Sequence, residues 1–325
     1  MKALVTGAAG FVGSHLAEFL LHEGIEVVGL VRPQDDTSRL ESILANIQIE
    51  RGDIRDSGRL TQILREVRPD RIFHLAGITS PAGSLLNPRL AYDVNLGGTL
   101  NLLEGVRHLS VDCRILFVSS SEVYGMVQGE NLPLREESPL LPCNPYAGSK
   151  AAGELLACQF YRSFGVKVVR VRPFNHTGPR QSGEFVCSSL ARQVAEINLG
   201  TRDAEVQVGN PDVLRDFSDV RDIVRGYYLL LEKGEAGEVY QLCSGRPVSV
   251  EAILSTLVGL VSVPIRVVVD PARAPLSGNR AVWGVADRAE RAVGWKPRYS
   301  LEATLRDLES YWEGVLRLDS DTKPQ

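Results

Sequence analysis

An apolar run from Lys2 to Thr6 passes directly into Gly7-Ala8-Ala9-Gly10-Phe11-Val12-Gly13, and an amphipathic stretch from Ser14 to His22 comes next, closed by Gly24. A strand that turns through three glycines into a helix is a demanding local geometry. Gly7 permits the tight turn, Gly10 lets the backbone approach a bound group closely, and Gly13 lets the helix pack on the strand. The group this geometry suits is a diphosphate, which would sit at the positive end of the helix beside Phe11 and Val12. The glycines are spaced G-x-x-G-x-x-G, a variant of the G-x-G-x-x-G dinucleotide fingerprint.

The same rhythm of strand and helix continues along the chain. Glu26 to Val31 reads as a second strand, but its end, Val31-Arg32-Pro33, carries no acid until Asp35. An acid there would hold ribose hydroxyls. Arg32 instead suits a 2′-phosphate, so NADPH (or NADP) is the expected cofactor, with NADH (or NAD) as the alternative. Ile47 to Arg51 leads to Asp53, placed to accept from an adenine amino group, and Asp56 should cap a helix running to Val67. Arg71 to Gly77 is a buried strand ending in small residues, with His74 packed inside it. A long helix is expected from Pro88 to His108, with Asn95 tying loops together. Cys113 to Ser119 is then a strand that delivers Ser120 and Glu122. This alternation implies a parallel, doubly wound sheet with ligands at the carboxyl ends of its strands.

The stretch Asn144-Pro145-Tyr146-Ala147-Gly148-Ser149-Lys150 supplies the chemistry. Asn144 is a good N-cap and Pro145 suits the first helical position. Tyr146 and Lys150 then lie one turn apart on one face, where the ammonium is expected to lower the phenol pKa towards neutrality. Such a phenol can exchange a proton at a hydroxyl or carbonyl carbon.

Beyond the strand Val166–Val171 the alternation loosens into a smaller mixed region. The expected division is a cofactor domain over 1–172, rejoined by about 212–245, a mainly substrate-binding domain over 173–318, and a disordered tail over 319–325. Arg180, Arg192, Arg215 and Arg273 suit a diphosphate-bearing substrate at the domain interface. The net charge of −4 argues against a nucleic-acid partner, and the chain shows no apolar stretch of membrane-spanning length. Five widely spaced cysteines without Cys-x-x-Cys, and five histidines without a ligand-spaced pair, point to reduced cytoplasmic thiols and no metal.

Taken together, the motifs resemble the extended short-chain dehydrogenase/reductase family of sugar-nucleotide epimerases, dehydratases and reductases. They are Thr6 to Gly13, Gly52-Asp53-Ile54, Phe73-His74-Leu75-Ala76, Asn95-x-x-Gly98-Thr99, Ser119 to Gly125, Tyr146-x-x-x-Lys150, Arg172-Pro173-x-Asn175, Arg215-Asp216-Phe217 and Gly294-Trp295-Lys296-Pro297. The resemblance implies a Rossmann-type sheet with a smaller mixed α/β C-terminal substrate domain. It also implies cofactor contacts from Ile54, Leu75, Ala76, Gly77, Tyr146, Lys150 and Pro173, and substrate contacts from Asn175, Val186, Arg192, Arg215 and Arg273. A homodimer through the Tyr146 helix is implied as well.

Asn175-His176-Thr177-Gly178-Pro179 and Gln181-Ser182-x-x-Phe185-Val186-Cys187 resemble most the subgroup that reduces GDP-6-deoxy-4-keto-D-mannose to GDP-D-rhamnose. In that chemistry Tyr146 protonates the C4 oxygen, Ser120 hydrogen-bonds it, and Lys150 holds the nicotinamide ribose. Arg180 departs towards the sister GDP-mannose 4,6-dehydratases, in which Glu122 would remove a C5 proton. Those enzymes usually carry Thr-Gly-Gln-Asp-Gly where this chain has Ala9-Gly10-Phe11-Val12-Gly13. A C4 epimerase is a further alternative. A non-catalytic nucleotide-binding regulator would have no use for the intact Ser-Tyr-Lys set.

Overall fold

The computed structural model describes residues 1–127, 129–271 and 278–321. Its strands are β1 (Lys2–Thr6), β2 (Glu26–Val31), β3 (Gln48–Arg51), β4 (Arg71–His74), β5 (Arg114–Val118), β6 (Lys167–Pro173), β7 (Asn175–Thr177), β8 (Glu205–Val208), β9 (Leu214–Asp219), β10 (Val239–Leu242), β11 (Pro247–Ser249), β12 (Arg266–Val269) and β13 (Ala281–Val282). The helices are α1 (Phe11–His22), α2 (Ser57–Val67), α3 (Pro81–Leu86), α4 (Pro88–Tyr92), α5 (Gly98–His108), α6 (Pro145–Phe164), α7 (Val186–Asn198), α8 (Val220–Lys233), α9 (Val250–Val258), α10 (Asp287–Val293) and α11 (Leu301–Asp321).

Seven strands form one sheet in the order β10-β6-β5-β4-β1-β2-β3, and every pairing in it is parallel. Both faces are covered, as the sequence of β1 requires. Ala3 and Val5 belong to a core with Leu16, Leu20, Ile223 and Tyr227 of α1 and α8. Leu4, between them, belongs to the opposite core with Leu60, Leu64, Leu102 and Phe160 of α2, α5 and α6. Side chains alternate across a strand, so an unbroken apolar run serves two cores at once. Each fully buried Leu or Val contributes about 1.5–3 kcal/mol.

α2 shows how local signals set one element. Asp56 accepts from the Arg59 N–H at 2.9 Å, and Leu60, Ile63, Leu64 and Val67 form its buried stripe. The helix stops where Arg68 turns left-handed (φ 45°).

The expected helix over 88–108 is interrupted. A π-helical turn, Asp93–Gly97, separates α4 from α5 and holds Asn95 buried. The wide turn frees that side chain to reach across the fold.

The second half is interleaved with the first. β10 is the edge strand of the main sheet, and α8, Ala289 of α10 and Trp295 pack into the first core. That last contact lies beyond the 212–245 span expected to rejoin the first half. β9 pairs with β7, β11 and β13 in a second sheet, and β8 pairs with β12. α7, α9 and α11 close a separate core around Val206, Val208 and Phe217. α11 continues to Asp321, into the stretch expected to be a tail. Residues 322–325 lie outside the described residues. No helix among the described residues is long and apolar enough to cross a membrane.

Candidate active site

One cavity of about 820 Å3 runs along the carboxyl ends of the central strands. Gly7, Gly10, Phe11, Val12 and Gly13 line it, with Arg32, Asp53, Ile54, Leu75, Ala76 and Gly77. Ser120, Glu122, Tyr146, Lys150 and Pro173 line its middle, and Asn175, Val186 and Arg215 its other side. The parallel topology brings these distant residues to one rim.

The glycine turn is as tight as its sequence suggests. Gly7 adopts φ +74°, and a Cβ there would lie 3.0 Å from Ala76 Cα. A Cβ on Gly13 would lie 2.2 Å from the Gly7 carbonyl oxygen. No side chain fits at either position, which leaves backbone N–H groups and a helix N-terminus facing the cavity. That cradle fits a diphosphate.

α6 is set by its own first turn and by three distant anchors. Asn144 Oδ1 accepts from the Ala147 N–H at 2.8 Å. The Ser84 hydroxyl, buried on α3, accepts from the Tyr146 N–H at 3.0 Å. Asn95 Nδ2 donates to Ser149 Oγ at 2.8 Å, and Ser149 Oγ donates to the Tyr146 carbonyl at 2.8 Å. The Asn95 amide also accepts from the Ile78 N–H at 2.8 Å, joining α6 to the loop after β4. Lys150 Nζ donates to the Val118 carbonyl at 2.9 Å, at the end of β5.

Burial governs the charges here. It pushes the Tyr146 phenol up to about 12; a hydrogen bond from Ser120 opposes this and the Glu122 charge adds to it. Burial also pushes the Lys150 ammonium down to about 8. The expectation that Lys150 lowers the Tyr146 pKa is therefore corrected for this structure. The lysine is directed at the Val118 carbonyl, and burial is the largest influence on the phenol. Tyr146 is left protonated at neutral pH, the form a proton donor needs. The half-buried Glu122 carboxyl is raised by burial, against the Arg215 charge and a hydrogen bond from Asn144.

Other expected site residues fall differently. Arg32 lines the cavity, yet its Nε and Nη2 both bond Asp35 Oδ1, at 2.9 and 2.6 Å. Asp53 is paired with Arg55 at 2.7 Å. Arg192 is not among the cavity's lining residues. It sits on the outer face of α7, paired with Glu196 at 2.9 Å and lying over the Trp312 ring. Val186 and Cys187, at the start of the same helix, line the cavity instead. Arg180 holds Glu18 at 2.6 Å beside α1. Arg273 lies outside the described residues. Residues the sequence did not single out also line the cavity, among them Arg39, Asn210 and Tyr227. Tyr227 comes from the apolar face of α8 and carries no motif, so nothing local marks it.

A doubly wound sheet with a Ser-Tyr-Lys set beside a glycine cradle defines an enzyme of the extended short-chain dehydrogenase/reductase class, which acts on sugar nucleotides. A family model described as GDP-mannose 4,6 dehydratase matches residues 4–308, and the chain belongs to that family. It is 36% identical to a GDP-6-deoxy-D-mannose reductase of Pseudomonas aeruginosa over 97% of this chain and 98% of that one. It is 30% identical to a GDP-mannose 4,6-dehydratase of Vibrio cholerae over 94% and 92%. The structure of RMD from Pseudomonas aeruginosa complexed with NADPH superimposes with a TM-score of 0.86 at 36% identity, covering 97% of this chain and 99% of that one.

Proposed function

We propose that this enzyme reduces the C4 ketone of GDP-4-keto-6-deoxy-D-mannose, giving GDP-D-rhamnose, with NADPH as cofactor. The observation that carries it is the buried Tyr146 phenol, which lines the same cavity as Ser120, Lys150 and the glycine cradle. Near-full-length similarity to a GDP-6-deoxy-D-mannose reductase supports the substrate, and the NADPH-bound neighbour supports the cofactor.

The residues present fit a dinucleotide: a cradle no Cβ can enter, and Arg32 and Arg39 lining the cavity. When bound, NADPH supplies a hydride to the carbonyl carbon. Tyr146 gives its proton to the developing alkoxide, so the ketone becomes an alcohol. Ser120 hydrogen-bonds the same oxygen and orients it. Lys150 presents its ammonium to the nicotinamide ribose, and the resulting charge contact favours the phenolate left on Tyr146. Gly7, Gly10, Phe11, Val12 and Gly13 hold the diphosphate. Asp53 and Ile54 would hold the adenine end, Leu75, Ala76 and Gly77 the ribose side, and Pro173 the nicotinamide end, all of them lining the cavity. Asn175, Val186 and Arg215 hold the GDP-sugar.

The exposed apolar side chains of Tyr92, Leu100, Leu155 and Tyr161 on α4 to α6 support a homodimer through the Tyr146 helix. Five free cysteines support a reducing, cytoplasmic setting.

Glu122 favours a second reading, because its raised carboxyl could take the C5 proton in a 4,6-dehydratase. Incubating the protein with GDP-4-keto-6-deoxy-D-mannose and NADPH separates the two. Stoichiometric NADPH loss with GDP-D-rhamnose formed is the expected result. No net loss, together with a 4-keto product from GDP-mannose, would transfer the function to the dehydratase.

A further inference from the structure

The glycine loop and its helix are gripped from the side by chain from the other half of the molecule. After β7 the chain runs through Gly178-Pro179-Arg180-Gln181 and crosses α1. The His176 ring stacks on Phe11, with centroids 6.1 Å apart and planes 13° apart. His15 Nε2 donates to the Pro179 carbonyl at 2.9 Å, so its Nδ1 is the acceptor for Arg180 Nη2 at 2.8 Å. That tautomer is the neutral imidazole, and burial pushes the His15 pKa down to about 4. The same Arg180 nitrogen donates to Glu18 at 2.6 Å.

Arg180 also pairs with Arg39 in both directions. Arg39 Nε donates to the Arg180 carbonyl at 3.0 Å, and Arg180 Nη1 donates to the Arg39 carbonyl at 3.3 Å. Arg180 adopts φ +72°, a left-handed conformation that is strained for a side chain of this size. Its contacts to His15, Glu18 and Arg39 hold it there.

Arg39 lines the cavity along with Arg32, Asp35 and Asp36. Arg32 is occupied by Asp35. Arg39 commits only Nε, and among the described residues neither of its terminal nitrogens has a hydrogen-bond or ion-pair partner. A guanidinium clamped by Nε keeps two N–H-bearing corners for an oxyanion and loses little freedom on binding it. Arg32 and Asp35 neutralise each other, which leaves Asp36 to repel a phosphate dianion and Arg32 little to offset it with.

We infer that Arg39 is a ligand of the dinucleotide's 2′-phosphate and that Arg180 is the positioning residue that holds it in place. The substrate half of the chain thereby sets the preference for NADPH over NADH. This rests on the NADPH reading above. The diphosphate is already served by the glycine cradle, which leaves the 2′-phosphate as the anion for Arg39.

Calorimetric titration of the cofactor-free protein tests this without any sugar substrate. The ligands are NADPH and NADH, together with 2′,5′-ADP and 5′-AMP as the matching fragments. Arg39→Gln should weaken NADPH and 2′,5′-ADP about 30-fold and NADH and 5′-AMP less than about threefold. Arg180→Asn tolerates the left-handed backbone and keeps the carbonyl, but loses the links to His15, Glu18 and the Arg39 carbonyl. It should lower the NADPH-to-NADH affinity ratio about fivefold, a selective change that general loosening would not produce. Arg39→Lys keeps the charge without the clamp and should fall between wild type and Arg39→Gln. Equal weakening of both dinucleotides by Arg39→Gln, or an unchanged ratio in Arg180→Asn, overturns the inference. A wild-type protein that prefers NADH would instead overturn the NADPH reading itself.

Discussion

Two charged side chains, Lys150 and Glu154, lie one turn apart on the buried face of α6, and the fold treats them in opposite ways. Glu154 is fully enclosed but saturated. Arg172 Nε and Nη2 bond its carboxylate at 2.6–3.2 Å. Arg172 Nη1 goes on to the Tyr124 hydroxyl at 2.8 Å and the Glu136 carbonyl at 2.9 Å. Lys150 is 5% exposed, yet among the described residues it has one hydrogen bond, to Val118. The Glu154–Arg172 cluster is complete within the protein, so it locks α6 against β6. Lys150 is left short of partners where α6 meets the cavity, which is where a ligand can complete it. Stability and readiness to bind are thus separated by a single turn of helix.

The comparison can be broken from either end. Tyr146→Phe leaves the packing and removes the proton donor, so kcat should fall about 1,000-fold while NADPH affinity stays near wild type. Near-normal turnover in that variant would remove Tyr146 from the chemistry.

Glu154→Ala strands the Arg172 charge and should destabilise the fold by about 3–5 kcal/mol in denaturant unfolding. A loss below about 1 kcal/mol would show that water reaches Arg172 and that the cluster is not closed.

Lys150→Met should act in the opposite direction on stability. Burial holds Lys150 near 8 in the fold, below its ordinary 10.5, so between those pH values the unfolded chain binds the extra proton. The cost of the charge is full below about pH 8 and fades as pH rises to about 10.5. The variant should therefore be about 1–3 kcal/mol more stable than wild type at neutral pH, with the gain shrinking at higher pH, while its turnover should be lost. A destabilised Lys150→Met would show that the Val118 contact already compensates the charge.

Glu122→Gln sharpens the functional side. In a reductase it should change kcat less than about tenfold, since the proton comes from Tyr146. Loss of all turnover would put the carboxylate at the centre of the reaction.

Much of the fold and site is legible in the sequence because it is local. The Gly7–Gly13 turn, the Asp56 and Asn144 caps and the Tyr146–Lys150 spacing all act within a few residues of themselves. Alternating strands and helices lead to a parallel sheet, and a parallel sheet leads to one rim. Asn95 is legible as a tie between loops, though the π turn that presents it is not, since Gly97-Gly98 weakens a helix without specifying how its turn widens. The outward position of Arg192 is not legible, because basic composition near a motif does not say which face of α7 an arginine occupies.

The sequence by itself determined the elements, their caps and the residue types available for chemistry, because those come from backbone sterics and from periods of two and 3.6. Only the tertiary structure decided the charge states. Spacing alone put an ammonium beside a phenol and suggested a lowered Tyr146 pKa. Packing turned Lys150 to Val118, enclosed both groups, and made desolvation the larger effect. The pairing of Arg39 with Arg180, 141 positions apart in the chain, likewise exists only because the stretch after β2 and the stretch after β7 meet in space. Dielectric environment and long-range contact are properties of the folded chain, and no short window of sequence contains them.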